Sequence, residues 1–510
     1  MHWGKRLAIS VAVLLTALTA LNAPAASSAR PDRVRVDSGW LQGAEAADYR
    51  LFQGIPYAAA PVGDLRWRSP QPPANWSGVR DATTPGPRCA QLASPQGNKG
   101  STAEDCLFLN VTVPRGGAAR KAVFVWLHGG GFTEEAGSDY DARRLAVSGD
   151  VVVVTVNYRL GIFGLLAYPG LAGSGGFALE DQQAALRWVR RNISRFGGDP
   201  GNVTLAGESA GGKSVCGHLA SPSAAGLFQR VILMSAPCTG TVPAGAMFPG
   251  LPAFPQWMPT SQREPDGQRV AADLGCADMT CLRHRLSTEK LLTKHHEFIS
   301  PTFGNAVLPQ DPAAAIAGGT THEVAVVSGI TKNEMSYTAT IFYDLVGKPV
   351  TGPQYESLLT TAFGEHADRV ARRYPLSRFV SPSQAWAAVT TDVVFACPTA
   401  KRDKDLGAWS YEFAEPSPPV PGLTFPPGAP HASDLPHLFP GYDERQSAVS
   451  QRMIDYWTTF TRTGKPADQR VWPRHPATIA LTSAAGNPAR VDFTAAHQCA
   501  FWDTVAQVRR

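Results

Sequence analysis

The 510-residue sequence contains no run of five or more basic residues, although its formal net charge is +5. Surfaces that bind nucleic acids concentrate Lys and Arg, so we do not expect a nucleic-acid partner. Internal repeats and low-complexity tracts are also missing from the sequence. With 44% hydrophobic and 17% charged residues, the composition is globular and excludes intrinsic disorder, collagen and coiled coil.

Long apolar runs are scarce as well, and the clearest one lies at the amino terminus. Two basic residues precede the apolar run 7–21, and small residues follow it. This pattern is typical of a secretory signal peptide, which we expect over residues 1–29 with cleavage after Ala25 or Ala29. An uncleaved membrane anchor is the alternative, but the run is shorter than the ~20 residues that span a bilayer. We therefore expect a secreted protein with no stable membrane insertion after the signal is removed.

The cysteines lack the spacing of a zinc site, because no C-x-x-C pair and no His–Cys cluster occurs. We therefore expect no bound metal. An even number of cysteines in an exported protein favours disulfides. Cys89 and Cys106 are close enough in sequence to close a small loop, and so are Cys276 and Cys281. The pairing of the other four stays open at this point; they are Cys216, Cys238, Cys397 and Cys499.

Short Val-rich apolar runs alternate with helical patterns along the chain. Residues 178–195 have the apolar spacing of an amphipathic helix. Buried strands alternating with helices predict an α/β fold, with a mostly parallel or mixed sheet covered on both faces. Residues 240–266 are rich in Pro and Gly and are expected to be irregular, whereas 338–406 are expected to be helical and to pack over one end of the sheet. The clearest predicted strands are 122–127, 151–156, 203–206, 231–234 and 324–328.

A G-x-S-x-G motif at 207–211 follows one of these strands and precedes a helix-compatible segment. This is the context of a nucleophile elbow, in which Ser209 occupies a sharp strand-to-helix turn with its hydroxyl exposed. Glycines must flank the serine, because side chains there would collide where the strand and the helix approach each other. The N–H groups at the start of the helix also favour developing negative charge. Ser209 is therefore the predicted nucleophile.

Three consecutive glycines, 129–131, follow His128 at the end of the strand 122–127. This arrangement is typical of an oxyanion hole of the HGGG type. We expect the N–H groups of Gly130, Gly131 and Ala210 to bind the oxyanion. A flexible loop is the alternative, but it does not explain why the glycines follow a buried strand. His128 is expected to orient the loop, because chain order in this architecture places the catalytic base last.

Together with further segments in the same order, these motifs resemble the type-B carboxylesterase/lipase family, which includes the cholinesterases. The resemblance covers nearly the whole chain after the signal. It implies the α/β-hydrolase fold, with a mostly parallel mixed sheet, helices on both faces and a helical or irregular cap. We expect one such domain over 30–510, with insertions near 240–323 and 338–406. The further matching segments are QGIPYA (53–58), PVG (61–63), EDCLFLNV (104–111), NYRLG (157–161), ALRWV (185–189) and FGGDP (196–200).

The family order of serine, acid and histidine supplies the other two candidates. Glu334 follows the strand 324–328 and resembles the family's acid; Asp392 is the alternative, which we interpret as a buried structural carboxylate. His431 resembles the family's base, because it precedes small residues, an acid and Leu-Pro. The alternative His437 is expected to pack beneath that loop. The acid after the base is Asp434, where the family usually has Glu.

The resemblance also implies pairings for the cysteines. Cys89–Cys106 matches the family's first disulfide, Cys276–Cys281 resembles a shortened second one, and Cys397–Cys499 resembles the third pair of cholinesterase-like members. Cys216 and Cys238 remain, one on the helix after Ser209 and one just after the next strand, so their pairing stays open. Four residues match family positions used for structural ion pairs; they are Arg66, Glu104, Arg159 and Asp181.

The resemblance implies a serine hydrolase that cleaves small-molecule carboxylic esters through an acyl-enzyme and needs no cofactor. The loop between Cys89 and Cys106 contains no aromatic residue, whereas cholinesterases carry there a tryptophan that stacks on the quaternary ammonium. A choline ester is therefore not the expected substrate. Hydrolysis of thioesters, lactones or carbamates would use the same site. A catalytically silent adhesion or binding protein is the alternative from another class. The sequence does not indicate the preferred acyl length, the alcohol or the oligomeric state.

Overall fold

The structure is a computed structural model, and it describes residues 32–94, 97–116, 120–440, 448–468, 470–483 and 489–507. The predicted signal peptide lies outside the described residues. Within these ranges, every helix is too short or too polar to cross a lipid bilayer.

A mixed sheet of eleven strands organises the described part of the chain. The strands are β1 (Ala44–Glu45), β2 (Tyr49–Pro56), β3 (Phe108–Pro114), β4 (Lys121–Leu127), β5 (Val152–Val156), β6 (Gly198–Glu208), β7 (Arg230–Met234), β8 (Ala325–Thr331), β9 (Trp409–Phe413), β10 (Thr478–Leu481) and β11 (Ala489–Val491). Their order in the sheet is β11-β10-β9-β8-β7-β6-β4-β5-β3-β2-β1, and the strands from β10 to β5 in this order run parallel. The strands at both edges are antiparallel to their neighbours.

The five strands predicted from Val-rich runs are all in this sheet, as β4 to β8. Short strands outside it pair in small ladders at its periphery. They are Arg33–Val36, Gly39–Gln42, Val79–Asp81, Gln91–Ala93, Lys99–Ser101, Thr241–Val242, Phe254–Pro255, Met258–Pro259 and Thr302–Phe303.

Helices surround the sheet and fill the segments between strands. The amphipathic segment predicted at 178–195 forms α3 and a following 3₁₀ turn, Ile193–Phe196. The α-helices are α1 (Arg143–Gly149), α2 (Gly161–Leu165), α3 (Phe177–Asn192), α4 (Ala210–Ala220), α5 (Thr260–Asp273), α6 (Met279–His284), α7 (Thr288–Leu292), α8 (Pro312–Ala317), α9 (Ser336–Ala339), α10 (Gly352–Phe363), α11 (Ala367–Arg373), α12 (Pro382–Thr390), α13 (Cys397–Leu406), α14 (Ala448–Thr463), α15 (Phe493–Ala496) and α16 (Cys499–Gln507).

Two hydrophobic cores lie on opposite faces of the sheet. Successive strand residues point to opposite faces, so Val125 of β4 lies in one core and Trp126 lies in the other. The first core, to which Val125 belongs, also contains apolar side chains of α3 and α4. The second core contains those of α1 and α14. The sheet is therefore buried on both faces, as continuous apolar strands require.

The structure agrees with the prediction for residues 338–406 and differs from the prediction for residues 240–266. Residues 338–406 contain helices and no strand, as predicted. Residues 240–266 are not irregular throughout, because α5 already begins at Thr260 and contains Pro265. Val270 and Ala271 of this helix are buried in the first core. Burial of this apolar face stabilises the helix by more than Pro265 destabilises it.

All eight cysteines form disulfides. The pairing left open by the sequence joins Cys216 of α4 to Cys238, which follows β7. The other three pairs are Cys89–Cys106, Cys276–Cys281 and Cys397–Cys499.

Candidate active site

Ser209 stands between β6 and α4 at the carboxyl edge of the parallel strands. Its backbone has φ 53° and ψ −117°, a region that residues other than glycine rarely adopt. The flanking glycines make this turn possible. A Cβ on Gly207 would lie 2.4 Å from the carbonyl carbon of Gly211, and one on Gly211 would lie 2.0 Å from the oxygen of Leu127. The sharp turn aims the serine hydroxyl away from the sheet edge.

His431 connects Ser209 to Glu334. The imidazole Nε2 lies 2.9 Å from the Ser209 Oγ, and Nδ1 lies 2.5 Å from the Glu334 Oε2. The other Glu334 oxygen, Oε1, accepts a hydrogen bond of 2.9 Å from the Thr331 N–H. Glu334 is fully buried, so both of its oxygens are held away from water. The three residues form a continuous hydrogen-bonded chain from carboxylate to hydroxyl.

Main-chain hydrogen bonds join the loops that carry these side chains. The Ser209 N–H donates to the Met234 carbonyl over 3.0 Å, and the Ser235 N–H donates to the Gly329 carbonyl over 2.9 Å. The His431 N–H donates to the Glu334 carbonyl over 3.1 Å. The backbone pairing of neighbouring strands thus continues beyond the strand ends into the loops of the site.

The glycine loop after β4 lies beside Ser209. Gly130 and Gly131 have φ values of 75° and 60°, which favour glycine. The Gly130 carbonyl accepts hydrogen bonds from the N–H and hydroxyl of Thr133 and from the Glu134 N–H, at 2.9 to 3.1 Å. Gly130, Gly131 and Ala210 stand at the starts of helical turns, where the first N–H groups have no acceptor within the turn. These three donors are free to bind an oxygen atom held next to Ser209.

A further carboxylate, Glu208, contacts the imidazole. Its Oε1 lies 3.2 Å from the His431 Nε2, and the side chain is buried. Burial raises the pKa of Glu208 well above its ordinary value. Burial alone would lower the pKa of His431, but Glu208 and Glu334 outweigh it and raise that pKa to about 9. The site therefore stabilises a positive charge on His431.

The alternative residues from the sequence have other partners. Asp392 accepts a hydrogen bond of 2.7 Å from the Tyr374 hydroxyl, and its other oxygen lies 2.6 Å from the His497 Nδ1. His437 packs against Phe413, with ring centroids 5.1 Å apart. Both residues are buried. These contacts are those of structural residues.

His128, at the start of the glycine loop, is also buried. Its ring stacks on Tyr158 at 4.3 Å, and its carbonyl accepts a hydrogen bond of 2.6 Å from the Tyr158 hydroxyl. Burial lowers the pKa of His128 to about 3, so the ring is neutral. Its contacts hold the base of the glycine loop.

Both predicted structural ion pairs are formed. Arg66 pairs with Glu104, and Arg159 pairs with Asp181 through two contacts of 2.7 Å. Asp434 lies three residues after His431 and is fully buried. Burial and the neighbouring Glu334 raise the pKa of Asp434 to about 7.

Sequence reasoning missed two side chains near the serine, Glu208 and Lys213. Side-chain alternation along β6 offered a signal for the first, because it puts Glu208 on the face of Ala206, which lies in the second core. The loop of His431 approaches from that same face, since Ala429 and Leu435 also belong to the second core. Lys213 had only helical spacing as a signal, since it lies one turn after Ser209.

This chain is similar to known proteins in family, sequence and structure. A model of the carboxylesterase family matches residues 30–502. The para-nitrobenzyl esterase of Bacillus subtilis is 33% identical, over 87% of this chain and 92% of that protein. The medium-chain fatty acyl-CoA hydrolase precursor of Anas platyrhynchos is 32% identical, over 91% of this chain and 90% of that protein. A solved structure of a thermophilic PNB esterase superposes with a TM-score of 0.77 at 30% identity, and covers 92% of this chain and 99% of that one.

Proposed function

The chain belongs to the carboxylesterase family of ester hydrolases, and from this premise we propose that it cleaves carboxylic esters through an acyl-enzyme on Ser209. The observation that carries the proposal is the contact of one imidazole with both Ser209 and Glu334, at 2.9 Å and 2.5 Å. Both contacts are within hydrogen-bond reach, so a proton can move between the partners.

In the first step, the Ser209 oxygen attacks the ester carbonyl carbon while His431 Nε2 takes the hydroxyl proton. Glu334 accepts the Nδ1–H, which fixes the tautomer that leaves Nε2 free to act as a base. The imidazolium formed lies between Glu334 and Glu208, whose carboxyl oxygens are 2.5 Å and 3.2 Å from its nitrogens. Glu334, and Glu208 in its ionised form, therefore stabilise the charge that develops on the ring.

The carbonyl oxygen becomes negative in the tetrahedral intermediate. The N–H groups of Gly130, Gly131 and Ala210 bind this oxyanion, and loss of one such donor typically costs about 2.7–4 kcal/mol of transition-state stabilisation. His431 then protonates the leaving alcohol as the ester C–O bond breaks. Water, activated by the same imidazole, attacks the acyl-enzyme and releases the acid.

Thioesters are a second substrate class for the same site. The relative from Anas platyrhynchos is named as a fatty acyl-CoA hydrolase, which favours testing acyl-CoA beside oxygen esters. A catalytically silent binding protein is not favoured, because the serine, the imidazole and the carboxylate are all present and in contact.

We also propose that the chain is exported and that residues 30–510 form one α/β-hydrolase domain with insertions. Four disulfides support export, because such bonds persist mainly in oxidising compartments. One sheet that takes strands from Ala44 to Val491 supports the single domain.

The experiment is active-site labelling with a fluorophosphonate probe, followed by peptide mapping. We expect one equivalent of label on Ser209, and no label in the Ser209→Ala variant. Turnover of aryl esters with acyl chains of increasing length then reports the preferred acyl size. Folded, oxidised protein that takes no label and hydrolyses no ester would refute the proposed function.

A further inference from the structure

A lysine is buried one helical turn after Ser209. Lys213 belongs to α4, its N–H donates to the Ser209 carbonyl over 2.8 Å, and only 6% of the residue is exposed. Residues four apart lie on the same face of a helix, and side chains there lean toward the amino-terminal end. Lys213 therefore lies on the same face of α4 as Ser209.

The partners of this ammonium are neutral. The Nζ lies 3.3 Å from the Gln256 Oε1 and 5.1 Å from the centre of the Trp257 ring. Within the described part of the chain, no carboxylate forms an ion pair with Lys213. An ammonium has three N–H donors, and Gln256 uses one of them. Buried lysines are usually paired with an acid, so this one lacks its ordinary partner.

Lys213 and the loop of His431 lie on opposite faces of the sheet. Trp257 and Cys238 belong to the first core, whereas the residues flanking His431 belong to the second core, across the sheet. His431 protonates the leaving alcohol, so the alcohol lies on the second-core side. With the oxyanion at the glycine loop in that mechanism, the first-core side, where Lys213 and Trp257 lie, is the side left for the acyl chain.

We propose that Lys213, with Gln256 and Trp257, binds a carboxylate carried by the acyl group of the substrate. The preferred substrates are then monoesters of dicarboxylic acids, in which one end is the ester and the other is a free carboxylate. The proposal rests on the proposed function, because it uses the alcohol and acyl directions of that mechanism. An incoming carboxylate supplies the acid that the buried ammonium lacks, and the Trp257 ring excludes water from the pair. Burial lowers the pKa of Lys213 to about 7, because the charged ammonium is disfavoured away from water. A bound anion would stabilise the ammonium.

The test compares two ethyl esters with acyl chains of equal length, monoethyl glutarate and ethyl pentanoate. The kcat/KM of each is measured at neutral pH by titrating the acid released, and the ratio of the charged to the neutral ester is the readout. In Lys213→Met we expect this ratio to fall about tenfold or more, while ethyl pentanoate changes by less than about threefold. Lys213→Arg keeps the charge and should recover part of the ratio.

The matched control is Lys348→Met, which removes one positive charge from an exposed position. We expect it to leave the ratio unchanged, because exposed charges are screened by solvent. An equal loss for both esters in Lys213→Met would show a purely structural lysine and would overturn the proposal. A charged-to-neutral ratio that is the same in Lys213→Met as in the wild type would overturn it as well.

A measurement on the unmodified enzyme covers the case in which Lys213→Met does not fold. Glutarate should inhibit hydrolysis of ethyl pentanoate at a lower concentration than pentanoate does, and equal inhibition would refute the subsite. The two proposals fail separately. Absence of ethyl pentanoate hydrolysis counts against the ester hydrolase mechanism, whereas normal hydrolysis without preference for the anion counts only against the Lys213 subsite.

Discussion

Replacing Glu334 by Gln should abolish most of the catalytic rate while leaving the fold intact. Oε1 of Glu334 accepts the Thr331 N–H, so the amide oxygen of a glutamine keeps this place. The amide NH2 then faces His431 Nδ1, which must accept a hydrogen bond instead of donating one. The ring proton moves to Nε2, and Nε2 can no longer take the proton of Ser209. The same change of tautomer in a serine protease triad lowers kcat by about 10⁴, and we expect a loss of about 10³ to 10⁴ here.

Asp392→Asn is the matched control, because it makes the same chemical change in the other candidate acid. Asp392 is bound by Tyr374 and His497, far along the chain from Ser209. Loss of one buried hydrogen bond to a charged group should lower the free energy of unfolding by about 1–3 kcal/mol. The rate of the folded variant should change by less than about threefold, because neither partner of Asp392 is part of the serine–histidine chain.

The assay is stopped-flow hydrolysis of 4-nitrophenyl acetate, with chemical unfolding measured on the same samples. Glu334→Gln should lose the acylation burst and keep its unfolding midpoint, whereas Asp392→Asn should keep the burst and unfold at lower denaturant. If Asp392→Asn lost the larger share of the rate while still folded, the assignment of the acid would be wrong.

Three further outcomes follow from the structure. The kcat/KM of the wild type should rise with pH, and the midpoint of this rise should lie above pH 6.5, because the pKa of His431 is raised to about 9. Glu208→Gln should shift the midpoint of the pH–rate profile downward. The pKa of His497 is likewise raised to about 9 by Asp392 and Glu412, against the opposing effect of burial. Its contribution to stability is therefore complete below pH 6.5 and is lost as the pH rises through about 9, so the free energy of unfolding should fall more steeply over this interval in the wild type than in His497→Gln. Gly211→Ala should prevent probe labelling and lower the free energy of unfolding by about 1–3 kcal/mol, whereas Gly352→Ala, which has room for a methyl group, should do neither.

The parts of the molecule that could be predicted from the sequence are those fixed by local chemistry. Ser209 and the glycine loop follow strands that end in runs of buried, mostly apolar residues, and such runs are recognisable without knowledge of their neighbours. The edge strands β1 and β11 are short and partly exposed, so they carry little hydrophobic pattern. The start of α5 was hidden by Pro265, because the burial that stabilises this helix depends on residues distant in sequence.

Side chains that meet only through the tertiary fold could not be found in this way. The Cys216–Cys238 pair depends on how closely α4 approaches the segment after β7, which no spacing along the chain reveals. The contact of Glu208 with His431 joins residues more than two hundred positions apart. For Lys213, the sequence shows a lysine in a helix, and only the packing of Gln256 and Trp257 against it shows that it is buried without an acid.

The main-chain hydrogen bonds that link Ser209 to Met234 and His431 to Glu334 use no side chain of the substrate pocket. Side chains around the site can therefore change without breaking these main-chain bonds. Selection for new specificity, in nature or in the laboratory, can then act on those side chains while the main-chain links stay in place. A protein whose active-site loops are joined by main-chain hydrogen bonds is a favourable starting point for evolving catalysts that accept different acids and alcohols.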